Sequence, residues 1–150
     1  MFEMTEVVPE LPPRFEYLGQ ASMFIDAIFE AVDRIPIFGD FVYSEIRTLA
    51  GYMECFAAPQ GEEIMTEGKI GDYLLLILTG EVKVLKADPD DNGTRKIIAF
   101  AGPGTTLGEM SLIDGEQRFA TCITVTPTDF ALLHRSDLSR LIKDLPHLGN

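Results

Sequence analysis

Residues 104–122 read "GTTLGEMSLIDGEQRFATC", a stretch rich in glycine and small residues that still carries Glu109 and Arg118 among apolar neighbours. A solvated loop would scatter its charges, and a plain core strand would carry none. The pattern predicts a short helical turn over Gly108 to Ile113, with an arginine brought round to its open end. The first turn of a helix leaves backbone N–H groups unpaired, and the helix dipole adds partial positive charge there. An anion fits such an end. Gly108 lets a ligand approach the backbone, and Ser111 adds a small side chain with a further donor. Arg118 lies beyond the turn at Gly115, where its planar fork can clamp two phosphate oxygens. Glu109 would repel an anion unless it has another task, such as accepting a sugar hydroxyl or orienting Arg118. A ligand with one phosphate and one free ribose hydroxyl would use both residues. On these two residues alone, a surface salt bridge of small worth is the commoner reading.

The surrounding chain narrows the choice. Its 150 residues suit one domain with a real core. Hydrophobic residues make up 46% and charged residues 24%, the balance of a globular protein. The longest apolar runs, "YLLLIL" and "KIIAFAG", have the length of strands and fall far short of the ~20 residues that span a bilayer. The acidic, proline-broken start "MFEMTEVVPELPPRFEYL" lacks the basic opening and continuous apolar middle of a secretory signal. It reads as a tail over residues 1–20, followed by a single cytoplasmic domain over 21–150. The net charge of −12, from 24 acids against 12 bases, argues against nucleic acid and anionic membrane as partners. Cys55 and Cys122 lie far apart with no CxxC pair, which predicts two buried free thiols in a reducing compartment.

Elements follow from periodicity. "SMFIDAIFEAVD" begins with a cap-type serine and puts Phe24, Ala27, Ile28 and Ala31 on one helical face. A second helix is expected from Ser44, with Ile46, Leu49, Ala50 and Met53 inward. From Phe56 glycines punctuate short strand-like runs: "YLLLIL" reads as buried on both sides, while "EVKVLK" and "TCITVT" alternate. "ADPDDNGTRK" reads as a hairpin loop whose Asn92-Gly93 supplies the positive-φ turn. A last helix opens at Ser136, carries Asp137 at its positive end and Leu138, Leu141, Ile142 and Leu145 as its stripe, and stops at Pro146. Short strands with glycine turns between helices mean a sandwich or small barrel.

The segments "IPIF", "GEEIMTEGKIGDYLLLILTGEVKVLK", "GPGTTLGEMSLIDGEQRFAT" and "RSDLSRLIKDLPHL" resemble, in order and spacing, the cyclic nucleotide-binding domain. This is the family of the catabolite activator protein, the kinase regulatory subunits and the nucleotide-gated channels. The resemblance covers roughly residues 35–148. It implies an α+β fold: an eight-stranded antiparallel β-roll, jelly-roll-like, flanked by N-terminal helices and a C-terminal helix. It further implies that Gly108 to about Thr121 is a phosphate-binding cassette. By position, Glu109 would take the ribose 2′-hydroxyl and Arg118 the cyclic phosphate, with the backbone near Met110 and Ser111 donating to phosphate oxygens. Phe119 and Thr121 would lie near the base or the phosphate, Ile98 and Ala99 would line the pocket wall, and Leu112 would relay cassette movement to the C-terminal helix. Three positions depart from the family pattern: Leu107 replaces the usual Phe, Gln117 the usual Pro, and Phe119 a small or hydroxyl residue.

The function so implied is a sensor for cyclic AMP, with cyclic GMP as the second candidate, no cofactor, an effector protein as partner and a second copy of the chain as a further candidate. Two other classes compete. A metal-dependent β-barrel enzyme needs clustered histidines, and His134 and His147 are the only two and lie outside the glycine-rich strands. Neither GxGxxG, GxxxxGK[ST] nor Gly-x-Ser-x-Gly occurs. An interaction or dimerisation module that keeps the roll without using a nucleotide is the other alternative, with Phe24, Ile25, Ile28 and Phe29 as a candidate partner face.

Overall fold

The computed structural model describes residues 15–20, 25–32, 42–108 and 117–144. The first described element is strand β1 (Glu16–Gln20), followed by helices α1 (Ile25–Val32) and α2 (Tyr43–Gly51). Eight strands come next: β2 (Glu54–Ala58), β3 (Glu63–Met65), β4 (Tyr73–Thr79), β5 (Val82–Asp88), β6 (Thr94–Ala101), β7 (Thr106–Leu107), β8 (Thr121–Thr124) and β9 (Thr128–His134). Helix α3 (Arg135–Asp144) is the last. The strands pair antiparallel in two sheets, ordered β1-β2-β9-β4-β7 and β3-β8-β5-β6. Strands β2 to β9 are the eight expected of the α+β roll.

The run "YLLLIL" explains why the fold has three layers. Successive side chains of a strand point to opposite faces, so an unbroken apolar strand must be covered twice. On one face of β4, Leu74, Leu76 and Leu78 pack with Ile28 of α1 and Ile46 and Leu49 of α2. On the other, Tyr73, Leu75 and Ile77 meet Phe130 and Leu132 of β9 and Val82 of β5 inside the roll. Strand β9 divides the same way, with Ala131 and Leu133 towards the helices.

Strand β1 corrects the last part of the expected tail over residues 1–20, whose residues 1–14 lie outside the described residues. It pairs with the free edge of β2, Glu16 opposite Ala57 and Tyr17 opposite Phe56, with a bulge between Tyr17 and Gly19. Gly19 takes φ +113, a conformation that glycine adopts at little cost. Phe15 just before the strand is buried and meets the Phe130 ring edge-on at 6.1 Å. Aromatic burial and an edge strand in need of partners outweigh the local acidic, proline-rich composition.

Helix boundaries also shift. At α2, which begins at Tyr43 instead of Ser44, the Val42 N–H donates to Glu45 Oε1 at 3.0 Å, so the reach-back of Glu45 closes this end. At α3 the Arg135 N–H donates to the Asp72 carbonyl at 2.6 Å, and Ser136 lies within the first turn. Phe24 and the leucine stripe expected on α3 fall outside the described side chains. The hairpin turn forms as read, with Asn92 at φ 56 and Gly93 at φ 77. No helix among the described residues is long and apolar enough to cross a membrane.

Cys55 and Cys122 are both buried free thiols. Burial, and then the nearby Asp129 carboxylate, push the Cys55 thiol from its ordinary 9.0 up to about 11. A raised thiol pKa stabilises the fold fully below the unfolded value and loses that contribution as the pH climbs through the folded one. Urea unfolding should therefore show wild type weakening relative to Cys55→Ala between about pH 9 and 11, with a constant difference below that window.

Candidate functional site

Arg118 is brought to its place by backbone as much as by side chain. Its N–H donates to the Lys69 carbonyl at 2.7 Å, and its carbonyl accepts the Gly68 N–H at 2.9 Å. Its side chain is 3% exposed. Nη2 donates to the Tyr73 carbonyl at 2.7 Å and Nη1 to the Gly108 carbonyl at 3.3 Å, while Cζ lies 4.6 Å from the centre of the Tyr73 ring. Gly71 and Gly108 close in from two sides, and a Cβ built on either would overlap the guanidinium. Gly108, at φ +84, is thus required twice, by its conformation and by its neighbour.

A cavity of about 270 Å³ opens beside this arginine. Its described lining is mostly apolar, with Met65, Val84, Leu107, Ala120 and Cys122 joined by Thr106, Gly108, Gln117, Arg118 and Phe119. Arg118 is the one charged side chain among these. A small apolar pocket with one fixed cation selects a ligand with an apolar body and an anionic group.

Phe119, at the rim, is 70% exposed yet held. Lys86 Nζ donates to its carbonyl at 2.7 Å and stands 4.0 Å over its ring, a cation–π contact. Lys86 is paired with Glu67 at 3.0 Å, and Glu67 Oε1 accepts the Ala87 N–H at 2.9 Å. That backbone hydrogen bond, followed by Lys86, holds the Glu67 carboxyl below the usual range. The brace is therefore complete above the ordinary glutamate pKa and is lost as the pH falls through the lowered one.

Of the residues expected at the site, Gly108, Arg118 and Phe119 are brought together around the cavity. Glu109, Met110 and Ser111, with Leu112, lie outside the described residues. Thr121 is a correction: it is buried and turned away from the cavity, its Oγ1 accepting the Glu67 N–H at 3.0 Å. Its neighbours Ala120 and Cys122 take the lining places. Ile98 and Ala99 are also corrected. They do not line the cavity but are exposed on β6, and the wall is formed instead by Val84, register partner of Ala99 on β5. Met65, Gly71, Tyr73 and Lys86 were missed. Only Gly71 and Tyr73 carried a local signal, as a turn glycine immediately before a doubly buried strand. Among the described residues no three His, Cys, Asp or Glu side chains come together as a metal ion would need.

The family model described as cyclic nucleotide-binding domain matches residues 56–144. The chain belongs to this family. A crystal structure of a cyclic nucleotide-binding domain from Methylobacillus flagellatus is 45% identical, with a TM-score of 0.85, and the match covers 100% of this chain and 83% of that one. The cyclic AMP receptor protein of Thermus thermophilus is 32% identical over 111 residues, which is 74% of this chain and 50% of that protein. A cAMP-dependent protein kinase regulatory subunit from Yarrowia lipolytica is 24% identical, over 82% of this chain and 31% of that protein. The chain therefore spans about half or less of the length of these two relatives. This cyclic nucleotide-binding domain is related to regulatory proteins.

The packing of Gly71 against Arg118 yields a direct test. In Gly71→Ala the new methyl meets the far part of a side chain rather than backbone, so the guanidinium gives way. Cyclic nucleotide binding should fall by at least tenfold, an energy of about 1.4 kcal/mol. The thermal midpoint should fall as well, because the displaced guanidinium leaves the Tyr73 and Gly108 carbonyls, and calorimetric titration beside a melting curve measures both.

Proposed function

We propose that this domain is a cytoplasmic cyclic nucleotide sensor that prefers cyclic AMP and also accepts cyclic GMP. The observation that carries the reading is a buried guanidinium on the wall of a cavity whose described lining is otherwise uncharged and mostly apolar. The cyclic phosphate sits at Arg118 and Gly108. Glu109 takes the ribose 2′-hydroxyl, and the backbone at Met110 and Ser111 completes the phosphate contacts, as the family pattern implies. The domain turns over nothing, needs no cofactor and passes the signal to an effector protein. A ligand can shift such a domain only as far as its affinities for the two states differ.

The reading is tested by titration with cyclic AMP, cyclic GMP and the linear 5′-monophosphates. Truncating one partner of a buried charge pair costs about 2–5 kcal/mol. Arg118→Ala should lose most of the affinity for cyclic AMP with the fold intact, and Glu109→Ala should lose less. Equal binding by Arg118→Ala and wild type would overturn the assignment. Incubation with cyclic AMP should release no 5′-AMP.

Glu109 and Arg118 meet the sugar and phosphate that both nucleotides share, so selection falls to the rim. Phe119 offers the base a ring face and no side-chain hydrogen bond. An unpaired guanine donor costs roughly 1–3 kcal/mol in a buried site and less at an open rim, which supports a modest preference for adenine. Phe119→Thr adds a hydroxyl there and should shift the ratio of the two affinities towards cyclic GMP in a competition assay.

A second reading, an interaction module, draws on the exposed row Ile97, Ile98 and Phe100 of β6. It is distinguished by the absence of heat with either cyclic nucleotide.

A further inference from the structure

Tyr73 is the first residue of a strand whose apolar character already accounts for its burial. Its surroundings ask more of it than core packing. The hydroxyl donates to the Ile64 carbonyl on β3 at 3.3 Å. The ring meets that of His134, its register partner on β9, edge-on with centroids 6.2 Å apart. The ring is thus anchored at its far end and along its side, while Arg118 lies over it and bonds its carbonyl. Both side chains are 3% exposed.

We propose that Tyr73 is a positioning residue for the anion site, its ring face and carbonyl together holding the Arg118 guanidinium in the orientation that meets the phosphate. The proposal rests on the reading of Arg118 as the phosphate ligand. An arginine free in a cavity loses much rotamer freedom when a ligand fixes it. One already stacked on a ring and bonded to a carbonyl has lost that freedom beforehand, so more of the contact appears as affinity. The cation–π attraction gains strength where water is excluded, as it is here. With Gly71 and Gly108 each close against the guanidinium, the ring adds a further wall to its cradle. A leucine would satisfy the apolar surroundings and offer no negative face.

The test varies the ring's electrons while keeping its shape. The full chain is prepared with Tyr73→Phe and with phenylalanines of increasing fluorine content at position 73, in the wild-type and Arg118→Ala backgrounds. Each is titrated with cyclic AMP, and circular dichroism and unfolding midpoints check the fold. Tyr73→Phe should bind within about twofold of wild type, because only the bond to Ile64 is lost. Affinity should then fall step by step with fluorine content, by roughly 2- to 30-fold in all. In the Arg118→Ala background the series should be flat, a coupling that mere core packing would not produce. A flat series in the wild-type background, or equal slopes in both, would overturn the proposal. So would tighter binding with added fluorine, since the ring would then be holding Arg118 away from the ligand. Failure of the underlying reading looks different and overturns both: wild type binds no cyclic nucleotide, or Arg118→Ala binds as wild type does.

Discussion

A guanidinium cannot give up its proton to escape burial, and placing an unpaired charge in an apolar interior costs several kcal/mol even after relaxation. Much else in the roll is arranged around that constraint at Arg118. Two carbonyls, of Tyr73 and Gly108, accept from it. Two glycines leave it room that any side chain would take. A ring supplies a partly negative face. The backbone on either side is stitched to Gly68 and Lys69, so the residue arrives in register with the turn before β4. Most of these devices come from residues 68–73, far along the chain from Arg118, which makes the site a property of the closed roll and not of the cassette alone.

The three-layer core gives that site its rigidity. Strands β4 and β9 are adjacent and buried on both faces, so their ends cannot drift without disturbing either the helix-facing or the roll-facing cluster. Tyr73 begins β4, His134 ends β9, and the Arg135 N–H bonds the Asp72 carbonyl at the same corner. The arginine is therefore held at the end of strands that are covered on both faces. That corner is also where α3 starts, so the anion site and the root of the C-terminal helix share one anchor.

Much of this was legible in the residues, for reasons that differ from one element to the next. "YLLLIL" announced a doubly covered strand because no single-faced strand is apolar at every position. Asn92-Gly93 announced its turn because few other residues accept positive φ. Arg118 stood out because a charge among small and apolar residues needs a reason. The failures share one cause: alternation tells which residues share a face but not what that face encloses. Thr121 and Cys122 are neighbours on β8, and only closure of the roll puts the thiol towards the cavity and the hydroxyl towards Glu67. Ile98 and Ala99 were placed on the pocket wall by the family resemblance, yet β6 is an outer strand of its sheet and leaves both exposed. Strand β1 was hidden because its pairing depends on the free edge of β2, to which local composition is blind.

The charge of the whole chain and the charge at the site have opposite signs, and range decides between them. A net charge of −12 repels an anionic ligand at a distance. At physiological ionic strength that repulsion is damped over about 8 Å, so it acts mainly on the approach and hardly on the bound state. Arg118 acts at contact, in a cavity where the effective dielectric is far below that of water and the attraction correspondingly larger. The acidic surface disfavours polyanions such as nucleic acids, which would have to lie along it. A ligand with one phosphate can bring its charge to a buried cation without lying along that surface. Depth, therefore, is what lets an acidic protein hold an anion: a cation at the surface acts through screening solvent, whereas one buried in the roll and held by the Tyr73 and Gly108 carbonyls acts on a small anion at contact.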